Sequence, residues 1–310
     1  MTAAAGTAPG AARVGDALAA ATDALAAAGV PEARLDAELL LAAASGRGRA
    51  SLIADPGAAI EPAAARRFGE LVRRRLRREP LAYVVDGKGF RRIELAVDRR
   101  VLVPRPETEL LVEVALERRP GRVLDVGTGS GAIALAVADE LPAAEVVATD
   151  TSPGALEVAR ANAARLGLAE RVRFEAGTVP EGERFDLVLA NLPYVAERDW
   201  AGLEPEVTEW EPREALLAGP DGLDAYRALL APPGVRSNHR IATISANAAA
   251  AQPGVRTSPR YAGITANAIA VEVGQGQAPE VVELVRGAGF ASVEVREDLA
   301  GIERVVVGVR

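Results

Sequence analysis

The hydrophobic pattern of the chain changes near residue 80. Before that point apolar residues recur every three or four positions, which predicts amphipathic helices at 14–28, 33–44 and 62–78. Gly29 ends the first of these patterns, as helix C-termini commonly require. This part of the chain is therefore predicted to be a small all-helical domain.

After residue 101, short apolar runs alternate with longer helical stretches. The runs predict strands at 123–126, 146–149, 172–174, 187–190, 268–273, 293–296 and 304–309. The helical stretches between them include 132–141, 153–166 and 279–288. Such alternation predicts an α/β domain with a doubly wound, mostly parallel seven-stranded sheet, an antiparallel last strand, and ligands at the carboxyl ends of the strands.

These patterns divide the 310 residues into four parts. Residues 1–12 are rich in Ala, Gly and Thr and are predicted to be a disordered tail. The helical domain occupies 13–79. Partly alternating apolar positions predict a hairpin linker at 80–101, and the α/β domain follows at 102–310.

A repeated block interrupts the α/β domain at 235–267. Residues 233–248 and 253–268 are identical at ten of sixteen positions, which indicates a tandem duplication. Because the block enters the amino end of a predicted strand, we expect it on the face opposite the ligand edge. Long surface insertions cost little loop-closure entropy, so a tolerated mobile loop is predicted, with a contact surface as the alternative.

A glycine-rich turn follows the first strand of the predicted sheet. Gly127, Gly129 and Gly131 are separated by Thr128 and Ser130 and lead directly into a helical stretch. Glycines let the backbone approach a ligand closely, and a helix N-terminus offers free N–H groups. The turn therefore predicts a cradle for a nucleotide or nucleoside.

The next strand ends in Asp150, which lies 23 positions after Gly127. An acidic side chain at this distance is suited to binding ribose hydroxyls. A nicotinamide cofactor and a methyl donor use this combination about equally, so the turn and Asp150 leave both classes open.

The residues after the fourth strand favour the methyl donor. Asn191, Leu192, Pro193 and Tyr194 are the candidate catalytic set. The Asn191 side-chain oxygen and the Leu192 carbonyl can accept hydrogen bonds from one NH2 group, because a residue before proline is extended. Two acceptors would aim the nitrogen lone pair at an electrophile, and Tyr194 would cover the flat face of the target group. A dehydrogenase has no use for such an element.

Five motifs resemble the release-factor glutamine N5-methyltransferase family, which uses S-adenosylmethionine. They are VPRPETE at 103–109, DVGTGSG at 125–131, EPREAL at 211–216, GPDGL at 219–223 and EVGQGQ at 272–277. The stretch REPLAY at 78–83 is similar to the linker that opens the family's catalytic domain. The likeness runs from about residue 13 to the C-terminus, apart from the repeated block.

The resemblance implies a substrate and roles for the site residues. The substrate would be the glutamine of the GGQ motif in peptide chain release factors, held in part by the helical domain. Residues 127–131 would bind the methionine part of S-adenosylmethionine and Asp150 its ribose, with Asn191 beside both the donor and the amide. The pocket entrance would be shaped by Arg105, Glu107 and Thr108.

The sequence departs from the family pattern in two places. A second proline usually stands where this chain has Leu192, although the carbonyl that the site needs is still present. The segment after the third strand lacks the acidic residue that often binds the adenine amino group. Backbone atoms at Gly177 and Thr178 are therefore expected to line that pocket.

Composition narrows the possible chemistry. The chain has no cysteine and one histidine, His239, so cysteine nucleophiles, serine–histidine triads and metal sites built on these residues are not expected. Methyl transfer from a sulfonium fits because its donor is already activated. With no recognisable secretory signal or membrane span, a cytoplasmic enzyme without a membrane partner is expected.

The charge distribution bears on partners. A net charge of −7 argues against nucleic acid as the substrate. The basic run at 73–78, preceded by Arg66 and Arg67, is interpreted as a solvated helix face, and the alternative is a docking face for an acidic protein or RNA.

Three alternatives to the release-factor function remain open at this level. One is a nucleic-acid adenine N6-methyltransferase that uses the same two acceptors. A second is a glutamine methyltransferase acting on a ribosomal protein. The third is a donor-binding interaction module without enzymatic activity.

Overall fold

The described part of the chain forms two units. The computed structural model describes residues 12–231 and 264–310. Most of the predicted tail and of the repeated block, together with His239, lie outside the described residues. The first unit contains the described residues up to Gly87 together with Pro205–Trp210, and the second contains the rest.

The first unit is built from helices. Its consecutive helices are α1 (Val14–Ala27), α2 (Ala33–Ser45), α3 (Arg49–Ala54), α4 (Pro62–Leu76) and α5 (Leu81–Val84). In α1, Val14, Leu18, Ala21 and Leu25 lie three or four residues apart and are all buried, because this spacing places them on one helical face.

Buried ion pairs join Pro205–Trp210 to the helices of the first unit. The Arg75 guanidinium, in a residue only 5% exposed, donates to Asp36 at 2.7 Å and lies 2.8 Å from Glu206. Arg78 donates to the other Glu206 oxygen at 2.5 Å. Burial opposes ionisation of Glu206, but the hydrogen bonds from Arg78 and Arg75 lower its pKa.

The second unit begins with an antiparallel hairpin of β1 (Lys88–Phe90) and β2 (Ile93–Leu95). The hairpin is shorter than the predicted linker at 80–101, since Leu81–Val84 form a helix of the first unit instead.

A seven-stranded sheet forms the centre of the second unit. Its strands are β3 (Arg122–Val126), β4 (Glu145–Asp150), β5 (Val172–Ala176), β6 (Phe185–Ala190), β7 (Ala266–Glu272), β8 (Ser292–Glu297) and β9 (Glu303–Val309). They lie in the order β5, β4, β3, β6, β7, β9, β8, and neighbours from β5 to β7 are parallel. β9 is antiparallel to both of its neighbours. The predicted α/β sheet with an antiparallel last strand is confirmed.

Helices alternate with the strands of this sheet along the chain. They are α6 (Glu109–Arg118), α7 (Ala132–Glu140), α8 (Pro153–Arg165), α10 (Asp224–Leu230) and α11 (Ala278–Gly287), while α9 is Pro205–Trp210 of the first unit. Residues of β3, β6 and β7 are almost all buried, as expected for parallel strands covered on both faces.

Some boundaries differ from the sequence prediction. β7 begins at Ala266, so the last two residues assigned to the repeated block belong to this strand. The short helices α3, α5 and α9 were not predicted, because fewer than two turns carry too little periodicity to be recognised. Within 12–231 and 264–310, no helix is both long and apolar enough to cross a membrane.

Candidate active site

The carboxyl ends of four parallel strands bring the predicted site residues together. In register, Val126 of β3 pairs with Thr149 of β4 on one side and with Ala190 of β6 on the other. Ala190 in turn pairs with Val271 of β7. The residues that follow these positions, from the glycine turn to Glu272, therefore line one edge of the sheet.

The glycine turn has the conformation that glycine allows. Gly127, Gly129 and Gly131 have φ angles of 76°, 55° and 85°. A Cβ at Gly131 would lie 2.8 Å from Leu135 Cδ1, whereas a Cβ at Gly129 would meet nothing within 4 Å. The backbone at Gly129 thus borders open space in which a ligand could approach it.

The side chains of the glycine turn point into the protein and stabilise the turn. Thr128 and Ser130 are buried, and the Thr128 hydroxyl donates to Asp125 Oδ2 at 2.6 Å. Burial raises the pKa of Asp125 to about 7, and its Oδ1 has no hydrogen-bond partner among the described residues. Thr128 and Ser130, predicted to bind the cofactor, would present backbone rather than side-chain groups to a ligand.

Asp150 is fixed by backbone donors. Its Oδ2 accepts from the Gly129 N–H at 2.9 Å and its Oδ1 from the Ser152 N–H at 2.8 Å. A carboxylate has further lone pairs for ribose hydroxyls. The Gly177 N–H donates to the Asp150 carbonyl at 2.9 Å, which keeps the segment of Thr178 next to this strand end. The open glycine turn beside a fixed carboxylate fits a nucleoside ligand.

Asn191 is oriented by one neighbour. Its Nδ2 donates to the Thr108 hydroxyl at 3.0 Å, so the side-chain Oδ1 remains as an acceptor. Leu192 is buried, and its Cδ2 would lie 3.3 Å from a Cβ placed at Gly127. The acceptor element and the glycine turn are therefore in close contact.

The chain has relatives whose similarity extends over nearly its whole length. A family model described as the PrmC N-terminal domain matches residues 16–85, and one described as the methyltransferase small domain matches residues 106–203. A release factor glutamine methyltransferase of Cereibacter sphaeroides is 42% identical, over 95% of this chain and 97% of that protein. The chain belongs to the release factor glutamine methyltransferase family. Relatives with the same name from Caulobacter vibrioides and Bordetella pertussis are 39% and 42% identical, and the matches cover 94% and 92% of this chain and 94% and 97% of those proteins.

Two motifs of the release factor glutamine methyltransferase family hold Tyr194. Its carbonyl accepts from Gln277 Nε2 at 2.9 Å. A Cβ at Gly222 would lie 2.3 Å from that carbonyl oxygen, and one at Gly274 would lie 3.0 Å from the ring. Burial raises the pKa of Tyr194 to about 12, which keeps the phenol neutral. Both motifs were recognised in the sequence, but their contacts with Tyr194 could not be predicted from it.

Two other family motifs are joined by an ion pair. Arg105 donates to Glu211 Oε1 at 2.6 Å, and the Val103 N–H donates to Glu211 Oε2 at 3.2 Å. Burial raises the pKa of Glu211, while Arg105 acts against this. Arg105 and Glu107 are partly exposed, and their place at the pocket entrance stays a prediction.

Thr108 was also predicted at the pocket entrance, but it is more deeply buried than Arg105 and Glu107. It is only 3% exposed, and its hydroxyl lies between Asn191 and the Glu272 carboxyl. Glu272 is 2% exposed, and burial raises its pKa to about 7 against the hydrogen bond from Thr108. Sequence reasoning missed Glu272 as a site residue, although an acidic residue at the end of a buried strand was a signal for it.

Within the described part of the chain, no group of three or more His, Cys, Asp or Glu side chains is arranged to hold a metal ion.

Proposed function

We propose that this chain transfers a methyl group from S-adenosylmethionine to the side-chain amide nitrogen of the glutamine in the GGQ motif of peptide chain release factors. The names of its relatives, at about 40% identity over almost the full length, support the reaction and the substrate. The proposed role lies in translation termination, in the cytoplasm.

One observation carries the proposal. The Asn191 acceptor element directly follows β6, and β6 pairs in parallel with β3, which leads into the glycine turn. A donor on the turn and an amide on Asn191 would therefore be neighbours. Such proximity replaces a bimolecular encounter by an aligned one.

The donor would be bound mainly by backbone and one carboxylate. The open face of Gly129 suits the methionine part, and Asp150 suits the ribose. Backbone atoms at Gly177 and Thr178 are proposed to line the adenine. When bound, the donor supplies a methyl group that its sulfonium has already activated.

The chain's own contribution is to hold the acceptor nitrogen. An amide nitrogen is a poor nucleophile, because its lone pair is delocalised into the carbonyl. Asn191 Oδ1 and the Leu192 carbonyl would accept hydrogen bonds from its two N–H groups and so aim the lone pair at the donor. These hydrogen bonds strengthen as the nitrogen gains positive charge, so they stabilise the transition state more than the ground state. Tyr194 would pack on the amide face.

The substrate distinguishes this function from related ones. The protein is incubated with labelled S-adenosylmethionine and a release factor, the same factor with its GGQ glutamine changed to alanine, or RNA. We expect label on the parent factor alone. Label on RNA, or equal label on the alanine variant, would contradict the proposal.

A further inference from the structure

We propose that Glu272 is a positioning residue for Asn191 and acts through the hydroxyl of Thr108. This inference rests on the proposed function, because it concerns the amide that Asn191 would hold. It assigns a task to the first residue of the EVGQGQ motif, which ends β7 beside the acceptor element.

The hydrogen bonds of the Thr108 hydroxyl determine which way the Asn191 amide faces. A threonine hydroxyl has one proton to donate, and an ionised carboxylate can only accept. If Thr108 donates to Glu272, its oxygen must accept from Asn191, and only Nδ2 of Asn191 can donate. The observed Nδ2 contact of 3.0 Å agrees with this order. The Asn191 Oδ1 is then directed away from Thr108 and is available to an incoming amide.

Folding stability does not explain why a glutamate stands at position 272. It is 2% exposed, and its Oε2 has no hydrogen-bond partner among the described residues. A buried carboxylate with an unpaired oxygen destabilises a fold relative to an apolar side chain of similar size. Its backbone is separately secured, because the Tyr226 hydroxyl donates to the Glu272 carbonyl at 2.6 Å. A requirement at the site explains why a carboxylate is present.

The charges near Glu272 are mixed, so none of them alone dictates its state. They come from the segment before α6, from β9, from the acceptor element and from α10, and the groups are Arg105, Glu107, Arg304, Tyr194 and Tyr226. With a pKa of about 7, Glu272 is ionised above neutral pH. When it is protonated it can donate to Thr108, whose hydroxyl can then donate to Asn191 Oδ1 and occupy the acceptor.

The first test removes the acceptor without changing the size of the side chain much. We expect Glu272→Met and Thr108→Val each to lower kcat at least about tenfold, by analogy with the loss seen when a hydrogen-bond partner that orients a metal ligand is removed. KM for the release factor and Kd for the donor should change less than about threefold. Thr108→Ser keeps the hydroxyl and should restore most of kcat. Glu280→Gln, on the exposed start of α11, is the matched control and should match the parent.

The second test uses pH. The kcat of the parent should rise as pH increases to about 7 and then level off, because ionised Glu272 enforces the order of hydrogen bonds. Glu272→Gln retains an oxygen acceptor but does not titrate, so it should keep much of kcat and lose this step in the profile. Thermal unfolding of Glu272→Met should be no earlier than that of the parent, which separates positioning from structural damage.

The outcomes separate the two proposals. A parent protein that methylates a release factor, with Glu272→Met and Thr108→Val as active as the parent, would overturn the positioning role alone. A kcat loss matched by early unfolding in both variants would also overturn it. A parent that is inactive on every release factor would overturn the proposed function and this role with it.

Discussion

At the residue scale, the site depends on a few polar groups held in fixed directions. Asn191 makes one hydrogen bond to Thr108 and keeps its oxygen for a ligand. Tyr194 is held through its backbone carbonyl by Gln277 and its phenol stays neutral, which agrees with the proposed packing of the ring on the amide. Small changes at these residues should alter turnover more than the binding of the donor.

Replacing Asn191 by alanine tests the acceptor directly. In Asn191→Ala the activation free energy of turnover should rise by about 2–4 kcal/mol, as expected when a hydrogen bond that strengthens in the transition state is lost. Donor affinity, measured by calorimetry, should change much less, because the glycine turn and Asp150 are intact. Asn267→Ala, an exposed asparagine near the other end of β7, is the control. Equal turnover of Asn191→Ala and the parent would show that the acceptor is misassigned.

A substitution at Gly222 tests the proposed role of Tyr194. A Cβ there would lie 2.3 Å from the Tyr194 carbonyl oxygen, so Gly222→Ala must displace that segment and should lower both kcat and stability. Gly301 has a similar positive φ, 76° against 80°, but a Cβ there meets nothing within 4 Å. Gly301→Ala should therefore cost only about 1 kcal/mol of stability and leave kcat unchanged. Steady-state kinetics and urea denaturation measure both effects, and similar kcat values for the two variants would refute the contact.

At the element scale, ion pairs decide where one short helix belongs. α9 has fewer than two turns and could not persist by its own hydrogen bonds. Glu206 joins it to Arg75 and Arg78, which lie well over a hundred residues earlier in the chain. The first unit is therefore completed by a segment from the middle of the α/β sequence.

Removing the Glu206 charge should destabilise the first unit. Glu206→Gln leaves the buried Arg75 with one carboxylate partner fewer, which should cost about 1–3 kcal/mol in urea denaturation followed by tryptophan fluorescence. Glu209→Gln, on the exposed side of the same helix, is the control. Because the pKa of Glu206 is lowered from 4.5, its contribution to the free energy of unfolding is complete above pH 4.5 and is lost as the pH falls below that value. A cost that persists unchanged at pH 3 would argue against the ion pair.

At the scale of the whole molecule, the carboxyl groups fall into two classes. Exposed carboxylates beside arginine, such as Glu117 and Asp221, have lowered pKa values, and these ion pairs stabilise the fold at pH values above the ordinary pKa of a carboxyl group. Asp125 and Glu272 are buried, with pKa values raised to about 7. Between about pH 4.5 and pH 7, these two carboxyl groups therefore stay protonated in the folded protein but are ionised in the unfolded chain. Stability should therefore fall as pH rises from about 4.5 to about 7, and also fall in acid as the surface pairs are protonated.

This predicts a stability maximum near pH 5, measured by urea denaturation across pH 3–8. Glu272→Gln should flatten the decline between pH 5 and 7 by an amount on the order of 2 kcal/mol. Glu283→Gln, which changes an exposed carboxylate of α11, should leave the pH profile as in the parent. A profile of Glu272→Gln that is parallel to the parent would mean that Glu272 does not titrate in this range.

Local patterns predicted most of the elements. The three- and four-residue spacing in α1 and the apolar runs of β3, β6 and β7 each lie within one segment, so periodicity predicts them directly. The glycine turn and Asp150 were also recognisable, because their chemistry depends on their place at strand ends. The short helices were not, because fewer than two turns carry too little periodicity. The position of β9 between β7 and β8 was not predicted either, since it depends on pairing with distant segments.

Contiguous stretches of the sequence were enough to predict the class of fold and to place the glycine turn and the Asn191 element at strand ends, because each of these features depends on neighbouring residues. The side chains that support these features meet only in the folded protein. Thr108, Asn191 and Glu272 come from three separate segments, and their order of hydrogen bonds arises only where β6 and β7 end side by side. The same is true of Gly222 and Gln277 around Tyr194 and of Glu206 with Arg75. Residue type limits which hydrogen bonds a side chain can make, but packing selects its partner.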